Sequence, residues 1–158
     1  MARYTASMAK NFVGRCLRNV IDPVPTTKQR REIWDYFDSQ CAYCGLKMLP
    51  AERKGQLDHL VPVSDGGSNH FSNFVLSCPG CNGDEKREMD WKQFLRFKAA
   101  DRYEERQAKI SAWHERGTSE QRVLSKRDLE ILERVTEEAR ASVDRAVEEL
   151  RSLKRGPL

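Results

Sequence analysis

The sequence predicts an α+β fold in which a small, metal-stabilised core is flanked by helices and followed by a long C-terminal helical hairpin or coiled coil. Three observations predict this fold. Two Cys-x2-Cys pairs, Cys41 with Cys44 and Cys78 with Cys81, have the spacing of ligands around one tetrahedral metal ion. Between the pairs, two short apolar segments flank a Gly-Gly turn, which predicts a β-hairpin. Elsewhere, apolar residues recur at helical spacing.

The composition fits one small domain with helical additions and excludes a membrane-spanning helix in this chain. Of the 158 residues, 39% are hydrophobic and 33% are charged. Charged residues interrupt every apolar run well before the roughly 18 to 20 residues that cross a bilayer. We predict a basic N-terminal helix or arm in residues 1–25, a core domain in residues 26–90 and a helical extension in residues 91–158.

The net charge of +4 is too small to identify a polyanionic partner, but the charge is unevenly distributed. Residues 1–56 carry ten Lys or Arg and five Asp or Glu, whereas the rest of the chain is nearly neutral. The first nineteen residues contain four basic residues and no acid, with apolar residues at helical spacing. We interpret this segment as an amphipathic helix packed on the domain. A nucleic-acid-contacting arm and a targeting peptide are the second and third interpretations.

Local signals order the elements of the core. Thr26 is the predicted N-cap of a helix whose apolar stripe ends just before Cys41. Residues 57–61 and 74–76 are the predicted strands, joined by a turn at residues 65–67. The second cysteine pair then opens a helix, so the predicted order is hairpin, cysteine turn and helix.

The four paired cysteines predict a structural Zn²⁺ site, because two Cys-x2-Cys turns present four thiolates at about 2.3 Å from one ion. A redox motif of the thioredoxin type is the competing interpretation, but the duplicated pair and the adjoining glycines favour zinc. Reduced thiols are typical of intracellular proteins, so we expect a cytoplasmic location. The fifth cysteine, Cys16, is expected to be an inert buried thiol.

The last third of the chain predicts two long helices. From Asp90, apolar residues keep helical spacing until Gly117, which predicts one uninterrupted helix. Ser125 and Asp128 form a capping-box pattern ahead of a second helix of about 30 residues, roughly 45 Å long, which needs a packing partner. We favour an antiparallel hairpin with the preceding helix. A homodimer through the C-terminal helix is the alternative.

Chemistry-bearing residues occur in a distinctive order between the two cysteine pairs and just after them. Asp58 and His59 lie on the first predicted strand, Asn73 precedes the second strand, and Asn82 directly follows Cys81. This order resembles the HNH endonuclease family in its His-Asn-Asn form, over about a third of the chain. The resemblance implies a ββα-metal fold. It also implies metal-dependent hydrolysis of phosphodiester bonds in DNA, by nicking or by double-strand cleavage.

The resemblance implies a role for each residue, and the chemistry of the residue types agrees with it. His59 is the general base, Asn73 orients its loop, and Asp58 and Asn82 are ligands of a catalytic cation. Carboxylate and amide oxygens favour Mg²⁺ or Mn²⁺ over softer metals. Because neighbouring side chains alternate along a strand, a twist or bulge must bring Asp58 and His59 to one site.

Six basic residues around this motif are candidates for contacts with nucleic-acid phosphates: Lys86, Arg87, Arg30, Arg31, Arg53 and Lys54. A solvated face accounts for them almost equally well. The leading hypothesis is a cytoplasmic DNA endonuclease of bacterial or bacteriophage origin. The alternative is a zinc-stabilised nucleic-acid-binding or assembly module without catalysis. The presence of the whole set Asp58, His59, Asn73 and Asn82 favours the endonuclease.

Overall fold

The computed structural model describes residues 5–49, 51, 54–87, 89–117 and 124–155, which fall into two compact units. The core unit comprises residues 24–122, and the helical unit comprises residues 1–23 with 123–158. The helices and strands are, in chain order, α1 (Ala6–Ile21), α2 (Thr27–Tyr36), β1 (Gln56–His59), β2 (Phe74–Ser77), α3 (Trp91–Lys98), α4 (Tyr103–Glu115) and α5 (Lys126–Arg155). This mixture of helices with a two-stranded sheet confirms the predicted α+β class. No helix in the described ranges is long and apolar enough to cross a membrane.

Helix α2 begins where the sequence predicts. The Thr26 side chain accepts a hydrogen bond from the Gln29 amide at 3.3 Å, and the Gln29 side chain accepts one from the Thr26 amide at 2.8 Å. This reciprocal pair is a capping box, which satisfies two amide groups at the helix start. Ile33 and Phe37 are buried, which confirms the apolar stripe that fixes the segment leading to the first cysteine pair.

The two strands form one antiparallel hairpin. Asp58 lies opposite Val75, and His59 lies opposite Phe74. Every residue of β2 is buried, and the indole Nε1 of Trp113 on α4 donates to the Phe74 carbonyl at 2.7 Å. Strand β1 is only partly covered, and Asp58 is its buried residue. The hairpin therefore holds a carboxylate against the core.

The prediction of one uninterrupted helix from residue 90 to residue 117 is wrong, because the chain forms α3 and α4 there. Asp90 caps α3 as predicted, accepting hydrogen bonds from the Lys92 and Gln93 amides at 3.0 Å. Ala99 then leaves the helical conformation, with φ −135° and ψ 45°, and a 3₁₀ turn precedes α4. This break turns the chain so that both helices reach the core.

The core of the larger unit lies between α2, the hairpin, α3, α4 and the two cysteine pairs. Its buried apolar residues are Ile33, Phe37, Cys41, Ala42, Tyr43, Met48, Leu60, Phe74, Val75, Leu76, Cys78, Cys81, Trp91, Phe94, Leu95, Ile110 and Trp113. Since α3 and α4 contribute to the same cluster as the hairpin, this compact unit extends well past residue 90.

The helical unit consists of α1 and α5, which run antiparallel. Lys10 on α1 pairs with Asp144 at 2.9 Å, and Gly14, one turn later on α1, lies beside Thr136, two turns earlier on α5. The apolar faces of α3 and α4, on which the favoured hairpin relied, are instead buried in the core unit. The expectation that Cys16 is buried is wrong, since its thiol is exposed on α1.

Helix α5 has the predicted start and length. The Ser125 Oγ accepts a hydrogen bond from the Asp128 amide at 3.1 Å, and the Asp128 carboxylate accepts one from the Ser125 amide at 3.0 Å. The helix spans 30 residues, which confirms the long C-terminal helix. Its ion pairs with near neighbours, such as Arg134 with Glu138, are exposed and contribute little to stability.

Candidate active site and metal centre

Four cysteine side chains meet at one point of the core unit. The sulfur atoms of Cys41, Cys44, Cys78 and Cys81 all lie within 4.8 Å of one another, and those of Cys44 and Cys78 are 3.7 Å apart. Four thiolates at about 2.3 Å from one tetrahedral ion are about 3.8 Å from each other. The four cysteines are therefore positioned to bind a metal ion.

Backbone hydrogen bonds build each half of this cysteine cluster. In the first turn, the Gly45 amide donates to the Cys41 carbonyl at 2.9 Å, and the φ of 78° at this residue favours glycine. In the second turn, the Asn82 amide donates to the Cys78 carbonyl at 3.0 Å. Because Cys78 directly follows β2, the cluster connects the hairpin to the segment that follows α2.

The close packing of the thiols shifts their pKa values in opposite directions. A hydrogen bond from the Cys81 thiol lowers the pKa of Cys41 to about 4. Burial raises the pKa of Cys44 to about 11, and the hydrogen bond to Cys41 raises the pKa of Cys81. Four adjoining thiols ionise together only when a cation compensates their charge. The donor set and its geometry fit a four-coordinate metal ion such as Zn²⁺.

Asp58 and His59 line the same cleft. This cleft has a volume of about 270 Å³ and is lined by Asp58, His59, Pro62, Val63, Ser64, Lys86 and Arg87. Alternation along a regular strand would point the two side chains to opposite faces. His59 is the last residue of β1, however, and the chain bends at Leu60. Because β1 ends at His59, both side chains line one cleft without the twist or bulge that the sequence predicts.

Two donors hold one oxygen of the Asp58 carboxylate. The Tyr43 hydroxyl donates to Oδ2 at 2.6 Å, and the Lys86 Nζ lies 3.0 Å from the same oxygen. Tyr43 is fully buried, and Lys86 is 1% exposed. Burial raises the pKa of the Asp58 carboxyl above its usual value, and the Lys86 ammonium and the Tyr43 hydroxyl partly offset this effect. Oδ1 is the oxygen that has no such donor among the described residues.

A polar contact and a ring contact fix the position of the His59 imidazole. Its Nε2 lies 3.0 Å from the Asn69 Oδ1, and the ring packs on Phe74 with the ring centroids 4.0 Å apart. An amide oxygen only accepts hydrogen bonds, so this contact favours the tautomer that carries its proton on Nε2 and leaves Nδ1 as the acceptor nitrogen. The cleft therefore combines a carboxylate with an imidazole whose Nδ1 is able to accept a proton.

Asn73 holds the loop between the two strands. Its side chain accepts a hydrogen bond from the Val61 amide at 2.9 Å and donates to the Val61 and Ser68 carbonyls at 3.0 and 2.8 Å. Gly67 allows the loop to close, because a Cβ there would overlap the Val61 carbonyl oxygen. The buried Asn73 side chain thus fixes the loop that carries Asn69.

The structure does not bring Asn82 into the cleft. Its amide nitrogen donates to the Gln56 Oε1 at 2.8 Å, and Asn82 is not among the described residues that line the cleft. It lies near the start of a π-helical segment, Gly80–Lys86, whose last residue is the one that reaches Asp58. Of the two predicted cation ligands, only Asp58 lies in the cleft.

Comparison with known proteins agrees with this geometry. Residues 41–88 match the family model for HNH endonucleases. This match confirms the resemblance that the order of motifs indicated. The HNH segment contains both cysteine pairs, both strands and the π-helical segment, so it includes every residue that lines the cleft.

One relative extends the similarity beyond the HNH segment. It is the "SPbeta prophage-derived putative HNH endonuclease YoqL" of Bacillus subtilis (strain 168), which is 32% identical to this chain over 94 residues. The aligned region covers 56% of this chain and 40% of the relative. The matched region therefore spans about two fifths of the relative's length. Family and relative together support a nuclease.

Two of the predicted phosphate-binding residues, Lys86 and Arg87, line the cleft of the HNH segment, but only one of them is exposed to solvent. Arg87 is exposed and lines the cleft, where its side chain is accessible to a phosphate. Lys86 is buried, pairs with Asp58 and donates to the His59 carbonyl at 2.9 Å. Lys86 therefore lies inside the cleft, and its burial does not fit the prediction that it contacts a nucleic-acid backbone.

Three other basic candidates are described by the structure, and none of them is a lining residue of the cleft. Arg30 is exposed, and its Nε donates to the Pro25 carbonyl at 3.1 Å. Arg31 and Lys54 are exposed on the core unit. Arg53 lies outside the described residues. None of the described members of this group lines the Asp58 cleft.

Two residues that shape the cleft were not predicted from the sequence. Tyr43 lies inside the first cysteine pair, where a buried aromatic residue with a polar tip signals a hydrogen-bond partner. Asn69 follows Gly66, Gly67 and Ser68, so it was indistinguishable from a turn residue. Only the folded loop shows that the Asn69 side chain meets His59.

Proposed function

We propose that this chain is a metal-dependent endonuclease that hydrolyses phosphodiester bonds in DNA. The observation that carries the proposal is that Asp58 and His59 line one cleft of the HNH segment, where the His59 Nε2 lies beside the Asn69 Oδ1. Hydrolysis of a phosphodiester requires a base for the attacking water and compensation of the charge that develops on the phosphate.

His59 is the proposed general base. Its Nδ1 takes the proton of the attacking water, while the hydrogen bond from Nε2 to Asn69 stabilises the imidazolium that forms. Asn73 fixes the loop that supplies Asn69, so it acts as a positioning residue. Arg87, at the edge of the cleft, binds a phosphate of the DNA backbone.

Asp58 is the proposed ligand of the catalytic cation through Oδ1, since Oδ2 is held by Tyr43 and Lys86. When bound, Mg²⁺ or Mn²⁺ supplies charge compensation at the phosphate and at the departing 3′ oxygen. In proteins these ions are typically held by one or two carboxylates together with waters and substrate phosphates. A single Asp58 oxygen is therefore sufficient as the carboxylate ligand from the protein. Asn82 completes the set only if its Oδ1 reaches the cleft, and the contact of its Nδ2 with Gln56 holds the side chain outside the cleft lining.

The cysteine cluster is the proposed site of a structural Zn²⁺. Four thiolates close the coordination sphere, so this ion has no open position for substrate. It stabilises the turn that carries Tyr43 and the segment that carries Lys86. The zinc site therefore supports the catalytic carboxylate through its two donors.

Conversion of supercoiled plasmid to nicked or linear DNA tests the proposal. The protein should convert plasmid with Mg²⁺ and not with EDTA, and His59→Ala should lower the rate by about 10² to 10⁴. DNA affinity and zinc content should stay unchanged, because a general base acts only on the chemical step. His114→Ala is the matched control, since His114 lies outside the cleft and should leave the rate unchanged. Cleavage by His59→Ala at the wild-type rate would refute the assignment.

The role of Asn82 needs its own comparison. If it binds the cation, Asn82→Ala should raise the Mg²⁺ concentration needed for half-maximal rate. Gln56→Ala, which releases the same amide, should leave that concentration equal or lower. Equal Mg²⁺ requirements for wild type and Asn82→Ala would leave Asp58 as the protein's ligand and assign Asn82 to the Gln56 contact.

One observation favours a zinc-stabilised nucleic-acid-binding or assembly module without catalysis, namely the position of Asn82 outside the cleft. The plasmid assay separates the two functions. DNA binding that persists without any Mg²⁺- or Mn²⁺-dependent cleavage would support the binding module.

A further inference from the structure

Helices α1 and α5 leave an open groove on one face of the helical unit. This α1/α5 groove has a volume of about 1020 Å³. The lining residues that matter here are Met8, Phe12 and Arg15 on α1 and Leu129, Leu132 and Glu133 on α5. The α1/α5 groove shares no lining residue with the Asp58 cleft of the core unit.

The α1/α5 groove is apolar and open to solvent. Phe12 is 61% exposed, Met8 48% and Leu129 43%. No apolar side chain is buried within residues 5–23 and 124–155, the described part of the helical unit. Amphipathic helices are stabilised mainly by burial of their apolar face, and two helices alone provide little of it. The helical unit therefore lacks a partner surface.

We propose that the partner is the α1/α5 groove of a second copy of this chain, so that the protein is a homodimer held together by a four-helix bundle. A two-fold axis places the same patch on both sides of an interface. An antiparallel helix pair and its copy form a bundle in which the apolar faces of all four helices are buried. Phe12 of each copy then fills the groove of the other.

The charges of the two walls favour a second copy as the occupant. Helix α1 contributes Arg15 and Arg18 to the lining of the groove, and α5 contributes Glu133 together with Glu137 and Arg140, which pair with each other. Arg15 and Glu133 line the groove from opposite walls, and neither forms an ion pair with a described residue of the unit. When α1 of one copy packs against α5 of the other, Arg15 meets Glu133 twice per dimer.

The dimer has a consequence that rests on the proposed function. Two copies bring two HNH segments into one particle. A single site cleaves one strand at a time, so a dimer carries the two sites that cleavage of both strands requires. The oligomeric state itself is measured without any cleavage assay, so the failure of one proposal is distinguishable from the failure of the other.

Light scattering on the full chain over a range of concentrations tests the dimer directly. We expect twice the 18.3 kDa mass of one chain at high concentration and dissociation on dilution. Phe12→Gln should weaken the dimer while keeping the helix content of the wild type, because Phe12 is exposed in the single chain. A full chain that stays monomeric at every concentration overturns the proposal.

Charge reversal tests the geometry of the interface. Arg15→Glu and Glu133→Arg should each weaken the dimer by about tenfold, since each reversal acts twice across a two-fold axis. The double variant restores opposite charges and should dimerise within about threefold of wild type. Glu138→Arg is the matched control, because Glu138 lies on α5 outside the groove and should have no such effect.

Three outcomes of the charge series contradict the proposal. They are single reversals that leave the dimer intact, a double variant that is no better than the singles, and an Arg15→Glu variant that loses DNA affinity while the particle mass is unchanged. The last outcome would identify α1 as a nucleic-acid-contacting arm.

Discussion

The core unit and the helical unit are built from amphipathic helices of similar pattern, but they bury very different amounts of apolar surface. Helix α3 places Phe94 and Leu95 at 1% and 0% exposure, whereas α1 leaves Phe12 at 61%. The core unit also has four thiols positioned around one metal site. Helical spacing shows which face is apolar, and only the fold shows what covers that face.

This difference predicts how the two units respond to mutation. In the core unit, apolar burial and metal binding act on one cluster, so damage at either place should unfold the whole unit. In the helical unit, local interactions such as helix caps hold a larger share of the stability. The following variants test that contrast.

Loss of a cysteine ligand should have the largest effect. A structural zinc site contributes about 10–16 kcal/mol of binding free energy in small peptides, as much as the whole stability of a typical domain, about 5–15 kcal/mol. Cys78→Ser should therefore unfold the core unit, as measured by thermal melting and by zinc content. Cys16→Ser is the control, because Cys16 is exposed on α1 and should change neither quantity. Unaltered melting of Cys78→Ser, or of the wild type after chelation, contradicts the zinc assignment.

Truncation of Trp113 should have the next largest effect. Its side chain is fully buried and donates a hydrogen bond to the Phe74 carbonyl of β2. Trp113→Ala should lower the free energy of unfolding of the core unit by about 3–5 kcal/mol. Phe97→Ala serves as the control, since Phe97 is 79% exposed and its loss should cost less than about 0.5 kcal/mol. Equal effects in urea titrations would show that the core does not depend on α4.

Loss of the Tyr43 hydroxyl should have a smaller effect on stability and a distinct effect on the site. Tyr43→Phe removes one hydrogen bond to the buried Asp58 carboxylate and should cost about 1.5–3 kcal/mol. If Tyr43 positions the carboxylate, the variant should also raise the Mg²⁺ concentration needed for half-maximal cleavage, with zinc content unchanged. Tyr36→Phe removes a hydrogen bond to a backbone carbonyl on α4 and should leave the Mg²⁺ requirement unchanged. A shift in both variants would indicate a general loss of packing.

Much of the fold was predictable, because local chemistry sets the element boundaries. The caps at Thr26, Asp90 and Ser125 use side-chain oxygens next to the amides they satisfy, and all three are confirmed. The break at Ala99 was not predictable, since the apolar spacing continues through it and only the packing of α3 and α4 on one core requires a turn. The helix against which α5 packs was not predictable either, because it depends on which apolar helix faces are already buried in the core unit.

The site was predictable in its residue types more than in its contacts. Asp58 and His59 lie on β1, and Asn73 lies just before β2 and bonds across the loop to Val61, while their functional roles stay predictions. Asn82 does not line the cleft, because the π-helical segment directs Lys86 and not Asn82 to the carboxylate. Tyr43 and Asn69 act through side-chain contacts across loops, and such contacts follow from tertiary structure alone.

Loss of a helix cap should have the smallest effect, and it compares the two units most directly. Ser125→Ala removes the Oγ that accepts from the Asp128 amide at the start of α5, and Thr26→Ala removes the equivalent bond at α2. Each cap contributes about 1 kcal/mol. In the core unit, the buried Ile33 holds α2 in place, so Thr26→Ala should lower the unfolding midpoint without loss of helix.

Among the residues described in the helical unit, no buried apolar residue lies near the start of α5, where Leu129 is 43% exposed. The first turn of α5 should therefore unfold locally in Ser125→Ala, because local opening there costs less than unfolding the unit. Circular dichroism should show a loss of helix of about one turn, and amides 126–130 should exchange faster with solvent. Ser125→Asp, which keeps a capping oxygen, should restore both. If Ser125→Ala instead keeps its helix and only lowers the midpoint, the start of α5 is held by tertiary packing, as it would be inside a four-helix bundle that extends to this end.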